Sequence, residues 1–283
     1  MKRRVAVVTD STAYLPDSLA EQHRIIVVSL QVTVGGAAGT EGSEVTPGDV
    51  AKALSERRTT VTTSRPAPAE FAAAYQAAFD SGAEAVLSIH LSGELSGTCS
   101  AADLAAGEAS GLVKVLDSGG IAMGLGFAVL AAAEAADAGN DLDTVLAAAR
   151  GAIERTTILF YVDTLEYLRR GGRLGAAAAL LGTALAVKPI LHMKDGAVVL
   201  KEKVRTAGRA LARLEDLAVE AAGDGVCDLA VHHLAAADRA DDLRNRLVAR
   251  LPKVGNVVLS EVGAVVGAHT GPGVIGVVVV RRA

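Results

Sequence analysis

Short, continuous apolar runs alternate with alanine-rich stretches along the first half of the chain. This alternation narrows the choice of fold more than any other feature. Residues 5–9, 24–34, 85–90 and 113–116 are rich in Val, Ile and Leu and are predicted strands. They are apolar through consecutive residues rather than on alternate ones, so they must be covered from both sides. The stretches between them have helical character: residues 16–23, a helix opened by Thr46-Pro47-Gly48-Asp49, residues 68–79 and residues 97–109. Thr46 is placed to cap its helix and Pro47 to occupy the first turn, where a missing N–H costs nothing. Strands and helices in alternation mean a parallel sheet with helices on both faces, the doubly wound α/β architecture.

The character shifts after about residue 155. Residues 157–162 read as a strand and residues 164–170 as a short helix that stops at Gly171-Gly172. Residues 188–193 and 197–203 flank Lys194-Asp195-Gly196, an Asp-Gly hairpin signal. Helices at 207–222 and 237–251 then alternate with strands at 227–232, 257–261 and 274–281. With 283 residues the chain has material for two modest domains. The expected division is an α/β parallel-sheet domain at 1–155 and a smaller α+β domain with a hairpin at 156–283.

Charge and composition exclude several functions. Lys+Arg is 28 and Asp+Glu is 32, a net charge of −4, and only Lys2-Arg3-Arg4 exceeds a basic pair. A nucleic acid as main partner would need a basic excess or a basic face. Aromatic residues are 3%, without Trp, so aromatic platforms for stacking bases are not expected. Two cysteines, Cys99 and Cys227, do not make a disulfide scaffold. The first apolar run is too short for a secretory signal. The longest apolar stretch, residues 176–187, falls well short of the ~20 residues that span a bilayer. The expectation is a cytoplasmic protein with no membrane span.

The common catalytic signatures are missing. No Gly-Lys pair occurs, so no phosphate-binding loop of the usual form. Gly124-Leu125-Gly126 lacks the third glycine of a dinucleotide fingerprint and reads as helix packing. His232-His233 has no spaced carboxylate or thiol partner for a metal. Gly93-Glu94-Leu95-Ser96-Gly97 carries its serine one place too late for a hydrolase elbow.

Other motifs remain. Four polar turns fall at or near strand ends: Thr9-Asp10-Ser11-Thr12, Thr62-Thr63-Ser64-Arg65-Pro66, residues 92–98 and Asp117-Ser118-Gly119-Gly120. Ligands of open α/β sheets bind beyond the carboxyl ends of the strands. Ser96-Gly97-Thr98 opens a predicted helix, where free N–H groups and hydroxyls hold an anion or simply cap the helix. Gly171-Gly172-Arg173 and Val204-Arg205-Thr206 each place an arginine either in solvent or near a site or partner. In Gly267-Ala268-His269-Thr270-Gly271-Pro272-Gly273 the histidine has few local side chains to bury it. It is an ordinary loop residue or a partner for a carboxylate.

Together these residues resemble the DegV family of bacterial fatty-acid-binding proteins. The resemblance rests on Thr9-Asp10-Ser11-Thr12, Thr63-Ser64-x-Pro66, Leu95-Ser96-Gly97-Thr98, Asp163-Thr164-Leu165-Glu166-Tyr167-Leu168, Gly171-Gly172-Arg173, Lys188-Pro189-Ile190, Val204-Arg205-Thr206 and His269-Thr270-Gly271-Pro272-Gly273, in order. It implies a two-domain α/β protein that binds one long-chain fatty acid between its domains. It implies no catalytic residue, metal or cofactor of its own. Members of the FakB type hand the acid to a separate kinase, FakA. That partner uses ATP and Mg²⁺ to make an acyl phosphate for phospholipid synthesis. Carried over, the carboxylate contacts fall on Thr63, Ser64, Ser96 and His269, with Gly97, Thr98 and Thr270 as further ligand-binding candidates. Arg205 and Arg173 fall to the partner or its phosphate.

Arg65, Cys99 and Gly175 depart from the family's usual Gln, Tyr and Ser, and the first two bear on pocket charge or shape and so on acyl-chain preference. A C16 tail buries about 14 methylenes at roughly 0.8 kcal/mol each, about 11 kcal/mol before ordering costs. Residues 174–187 could supply a small-residue pocket wall. Two other readings stay open. One is a substrate subunit for small-ketone phosphotransfer, as in dihydroxyacetone kinases, with His269 as anchor. The other is a hydrolase using Ser96, His269 and Asp10.

Overall fold

A computed structural model describes residues 4–56, 59–175 and 188–282. Most of the expected pocket wall, residues 176–187, lies outside the described residues. In chain order the first elements are β1 Val5–Asp10, a 3-10 turn at Ser11–Ala13, α1 Asp17–Gln22, β2 Ile26–Val28, β3 Gln31–Val34, β4 Ala37–Thr40, α2 Pro47–Ser55 and β5 Val61–Ser64. Then come α3 Pro68–Asp80, β6 Ala85–His90, α4 Thr98–Gly107, β7 Leu112–Asp117, α5 Met123–Asp137 and α6 Leu142–Glu154. The rest are β8 Thr156–Tyr161, α7 Glu166–Arg170, β9 Lys188–Lys194, β10 Ala197–Val204, α8 Ala207–Ala222, β11 Cys227–His233, α9 Ala237–Arg250, β12 Val254–Glu261, α10 Ala264–Thr270 and β13 Ile275–Arg281. Among the described residues no helix is long and apolar enough to cross a membrane.

The chain forms two compact units. One joins Met1–Gln31 to Ser64–Glu154, and the other joins Val32–Thr63 to Arg155–Ala283. This corrects the single expected division near residue 155: Val32–Thr63 belongs with the C-terminal half, which is therefore the larger unit. The exchange happens inside the predicted strand 24–34. That run is two strands: β2 pairs with β1, and β3 lies in a separate three-stranded sheet of order β4-β3-β5. At the break the buried Leu30 donates its N–H to the Ser11 hydroxyl at 3.0 Å. An uninterrupted Ile/Val run carries no mark of the sheet in which each half pairs.

The first unit is built on a parallel sheet of order β2-β1-β6-β7. β1 and β6 lie at its centre, and every residue of β6 is buried. Phe71 and Tyr75 of α3 and Ala101, Ala102 and Ala105 of α4 pack with Val8 and Val86 in one cluster. α5 packs on β1 and β6 and is buried over most of its surface. Gly126 permits that closeness, since a Cβ there would stand 2.8 Å from the Ala13 carbonyl oxygen. Helices thus cover the sheet as the apolar strands demanded.

The second unit has a mixed six-stranded sheet of order β10-β9-β8-β13-β11-β12. Its neighbours are antiparallel except β11 and β12. The expected hairpin joins β9 to β10, with Asp195 and Gly196 at φ +50° and +78°, the left-handed pair such a tight turn requires. Leu214, Leu217 and Ala218 of α8 and Leu243 and Leu247 of α9 cover Leu159, Ile190, Leu229, Val231 and Val277 of the sheet. In the smaller sheet's segment, Thr46 caps α2 through the Asp49 N–H at 3.2 Å, and the Asp49 carboxylate returns to the Thr46 N–H at 2.9 Å.

Candidate functional site

In the first unit the candidate residues cluster after β6. The chain turns at Leu91–Gly97, with the N–H groups of Leu95 and Ser96 on the Ser92 carbonyl. The Ser96 and Thr98 hydroxyls share a hydrogen bond of 2.9 Å. Gly97 serves as N-cap of α4 and contributes no side chain. A Cβ there would collide with Arg65, which reaches the Gly97 carbonyl at 3.5 Å. Ser64, exposed at the end of β5, lies two steps before the buried Pro66. Cys99 follows the turn, and burial together with Asp117 pushes its thiol up to about 12, so it stays protonated.

Behind this turn lies a wholly buried polar chain. Asp10 Oδ1 accepts from the Thr12 N–H at 3.0 Å and its hydroxyl at 2.5 Å. Oδ2 accepts from the Leu91 N–H at 3.0 Å and pairs with His90 Nδ1 at 3.0 Å. His90 Nε2 meets the Ser88 hydroxyl at 2.7 Å, and the Tyr75 hydroxyl donates to Ser88 at 2.9 Å. Asp10 is thus committed to the ends of β1 and β6.

In the second unit the structure brings Thr63 and His269 together. Thr63 Oγ1 and His269 Nε2 are 2.8 Å apart. The expected loop around His269 is instead the last turn of α10, and the imidazole is largely enclosed. Its neighbours come from distant segments, which is why the local sequence gave no sign of burial. Burial and then the Arg173 guanidinium hold its pKa down to about 4, so the ring is neutral at ordinary pH. A neutral ring has one nitrogen that donates and one that accepts.

His269 Nδ1 has no hydrogen-bond partner among the described residues. It sits against Gly171, where any Cβ would run into it. Three other buried atoms lack partners among the described residues: Thr9 Oγ1, His233 Nδ1 and Arg239 Nε. His233 has the Glu261 carboxylate 3.8 Å away, and Arg239 donates from Nη2 to the Gly273 carbonyl at 2.6 Å. The Thr270 hydroxyl donates to the Val266 carbonyl at 2.9 Å. Arg173 donates to the Gly171 carbonyl at 2.5 Å. Arg205 is exposed between β10 and α8 and makes no ion pair or hydrogen bond among the described residues.

Residues to which the sequence gave no site role stitch this region together. The Asp163 carboxylate accepts from the Tyr161 hydroxyl at 2.5 Å, and its carbonyl accepts from Lys188 at 2.9 Å. Arg239 approaches Asp163 at 3.8 Å. Glycines permit the packing. A Cβ at Gly273 would strike Asp163, and one at Gly271 would strike the Tyr167 ring. The local signal was the cluster of glycines around His269, read only as openness. The arrangement does not support the hydrolase reading. Asp10 is consumed by its own network, and among the described residues no acid orients His269 Nδ1 as a triad needs. Among the described residues no three His, Cys, Asp or Glu side chains are grouped to hold a metal.

Comparison with known proteins agrees with the motif order. The family described as an uncharacterised protein family, DegV, matches residues 4–282. A DegV domain-containing protein of Streptomyces coelicolor is 55% identical over 282 residues, covering 100% of both chains. A DegV domain-containing protein of Mycobacterium tuberculosis is 42% identical over 276 residues, covering 97% of this chain and 96% of that one. A solved DegV family protein from Thermus thermophilus, described as fatty acid binding, superimposes with a TM-score of 0.94 at 36% identity, covering 99% of this chain and 100% of that one. The fatty acid binding protein DegV of Bacillus subtilis gives a TM-score of 0.90 at 34% identity, with the same coverage. With its motifs in order and its fold matched end to end, the chain belongs to the DegV family.

Proposed function

We propose that this protein binds a long-chain fatty acid and presents its carboxylate to a separate ATP-dependent kinase subunit of the FakA type. The observation that carries the reading is His269: largely enclosed, neutral, tied to Thr63 through one nitrogen and without a partner among the described residues on the other. A buried polar atom left unpaired costs about 1–3 kcal/mol, a cost that a ligand's polar group can relieve. The fatty acid binding described for the Thermus and Bacillus relatives supplies the ligand class.

Thr63 and His269 hold the carboxylate in this reading, one proton of the pair lying between Thr63 Oγ1 and His269 Nε2 and the other reaching the acid, with Ser64 and Ser96 as further hydroxyl donors. Gly97, Thr98 and Thr270 are secondary candidates. Neutral donors suit the chemistry, because they bind the carboxylate without neutralising the oxygen that must react. On the partner, that oxygen attacks the γ-phosphorus of ATP. The bond from phosphorus to the ADP oxygen breaks, and the products are acyl phosphate and ADP. ATP and Mg²⁺ belong to the kinase, and this chain supplies no cofactor of its own. Arg205 and Arg173 are assigned to the kinase or its phosphate. The acyl phosphate then serves phospholipid synthesis, and the protein works in the cytoplasm.

Mass spectrometry of protein purified without added lipid, native and then denatured, tests the binding step. A non-covalent adduct that extracts as one or a few fatty acids is the expected result. Bare protein that takes up no lipid overturns it, and a small polar adduct transfers the assignment to small-ketone phosphotransfer. For the kinase step, Arg205→Ala is expected to spare lipid binding and slow phosphorylation. Loss of lipid binding would move Arg205 into the pocket.

A further inference from the structure

The helix that carries His269 cannot hold itself in place. α10 has seven residues, Ala264–Thr270, less than the length at which a helix is stable on its own. Its N-cap is Gly263, which has no side chain to satisfy the free N–H groups of the first turn. Ala264, Val265 and Val266 are buried, so water does not replace a missing cap.

The cap comes from far away in sequence. Glu41, 5% exposed, accepts the Val265 N–H on Oε1 at 2.7 Å. Its carboxyl lies at the end of the helix that favours an anion. Glu41 lies in Val32–Thr63, the same segment that carries Thr63. Midway along the helix, a Cβ on Gly267 would stand 3.7 Å from Val50 of α2, in ordinary contact. One segment therefore meets α10 at its start through Glu41, along its length through α2 and at its last turn through Thr63. Side chains on a helix keep a constant relation to its first turn, 1.5 Å of rise per residue. A shift of the capped end is thus passed to His269.

We infer that Glu41 is a positioning residue: by capping α10 it sets the height at which the His269 imidazole meets Thr63. Its effect on ligand affinity rests on the fatty-acid reading above, whereas its effect on the imidazole does not. Palmitate is the binding probe, measured with Glu41→Ala, Glu41→Gln, His269→Ala and the Glu41→Ala/His269→Ala pair. Ring-nitrogen NMR of His269 is recorded on the ligand-free protein, with Thr63→Ala giving the resonance expected when the hydrogen bond is lost.

Glu41→Ala is expected to weaken palmitate about tenfold in the parent and less than about twofold once His269 is gone, because the two residues act in series. Glu41→Gln keeps an acceptor oxygen and is expected to stay within about threefold of the parent. The His269 resonance of Glu41→Ala should move toward that of Thr63→Ala. Equal losses with and without His269, or a Glu41→Gln loss as large as that of Glu41→Ala, would overturn the inference. If Glu41→Ala does not fold, Glu41→Asp draws the carboxylate back by one methylene and carries the same NMR comparison. A parent-like His269 resonance in that folded variant overturns it too. If the parent protein binds no palmitate, the fatty-acid reading fails while the NMR comparison still decides the role of Glu41.

Discussion

Two enclosed histidines, one in each unit, have opposite surroundings. His90 has both ring nitrogens occupied, by Asp10 and by Ser88, and the chain continues to Tyr75. His269 has one nitrogen on Thr63 and, among the described residues, no partner on the other. Both rings sit at the end of an element, β6 and α10, and both belong to packed units. The satisfied network of His90 stiffens the ends of two parallel strands, a scaffold role. The incomplete set at His269 leaves hydrogen-bonding capacity that the described residues do not use. Burial of a polar side chain therefore does not mark a site by itself; what sets His269 apart is an unfinished partner list beside a second candidate, the hydroxyl-bearing Thr63.

The largest expected effect lies on the scaffold side of this contrast. Asp10→Ala strips partners from the Thr12 hydroxyl, the Leu91 N–H and His90 at once. It should cost about 3–5 kcal/mol of stability by urea denaturation, as breaking a buried polar pair does. A loss below about 1 kcal/mol would mean that the network is not the structural element its burial implies.

His269→Ala should show the reverse profile. Each hydrogen bond to a charged acceptor is worth about 1.5–3 kcal/mol, so fatty-acid binding weakens by roughly tenfold or more. Stability should change by only about 1 kcal/mol, because the cavity cost is offset by removal of an unpaired polar atom. Calorimetric binding and denaturation on one preparation separate the two quantities. A variant that unfolds yet binds normally when folded would place His269 with His90.

Acid adds a third probe. Burial holds His269 and His232 neutral down to about 4, against 6.5 for an unperturbed histidine. Between those values the unfolded chain binds more protons than the folded one, so stability falls as pH drops from about 6.5 to about 4. Below about 4 neither histidine adds to the trend. Denaturation midpoints across that window should decline less steeply in His269→Ala, with the remaining slope carried in part by His232. An unchanged slope would show that the ring is not desolvated.

The smallest effect concerns α2, which packs on α10. Thr46→Ala removes a cap worth about 1 kcal/mol. If the His269 end is as dependent on its neighbours as its short helix implies, hydrogen exchange should rise at Val265–Thr270 as well as in α2. Exchange confined to α2 would uncouple the two helices.

Much of the secondary structure was legible because it is local. The strand 85–90 and the helix 207–222 have the ends that the residues implied. Thr46, Pro47 and the Asp195-Gly196 turn act through partners within a few positions. The break at Ser29-Leu30 was not legible, since Ile and Val suit either sheet. Among the candidate site residues, Thr63 and His269 were named through family resemblance, and their contact joins positions 206 residues apart. The burial of His269 ran against its glycine-rich setting, because the residues that enclose it come from α7, β5 and the turn after α7.

The chain's own order of apolar runs, caps and turn residues determined that it would build a parallel sheet under helices and a hairpin-bearing second sheet. Those choices are made by interactions that reach at most about four residues along the backbone. Tertiary structure alone decided that Val32–Thr63 joins the C-terminal unit, that Asp10 serves His90 and that Glu41 caps the helix of His269. Hydrogen-bond satisfaction is settled between groups distant in sequence, and no local pattern records which partner arrives or which is missing.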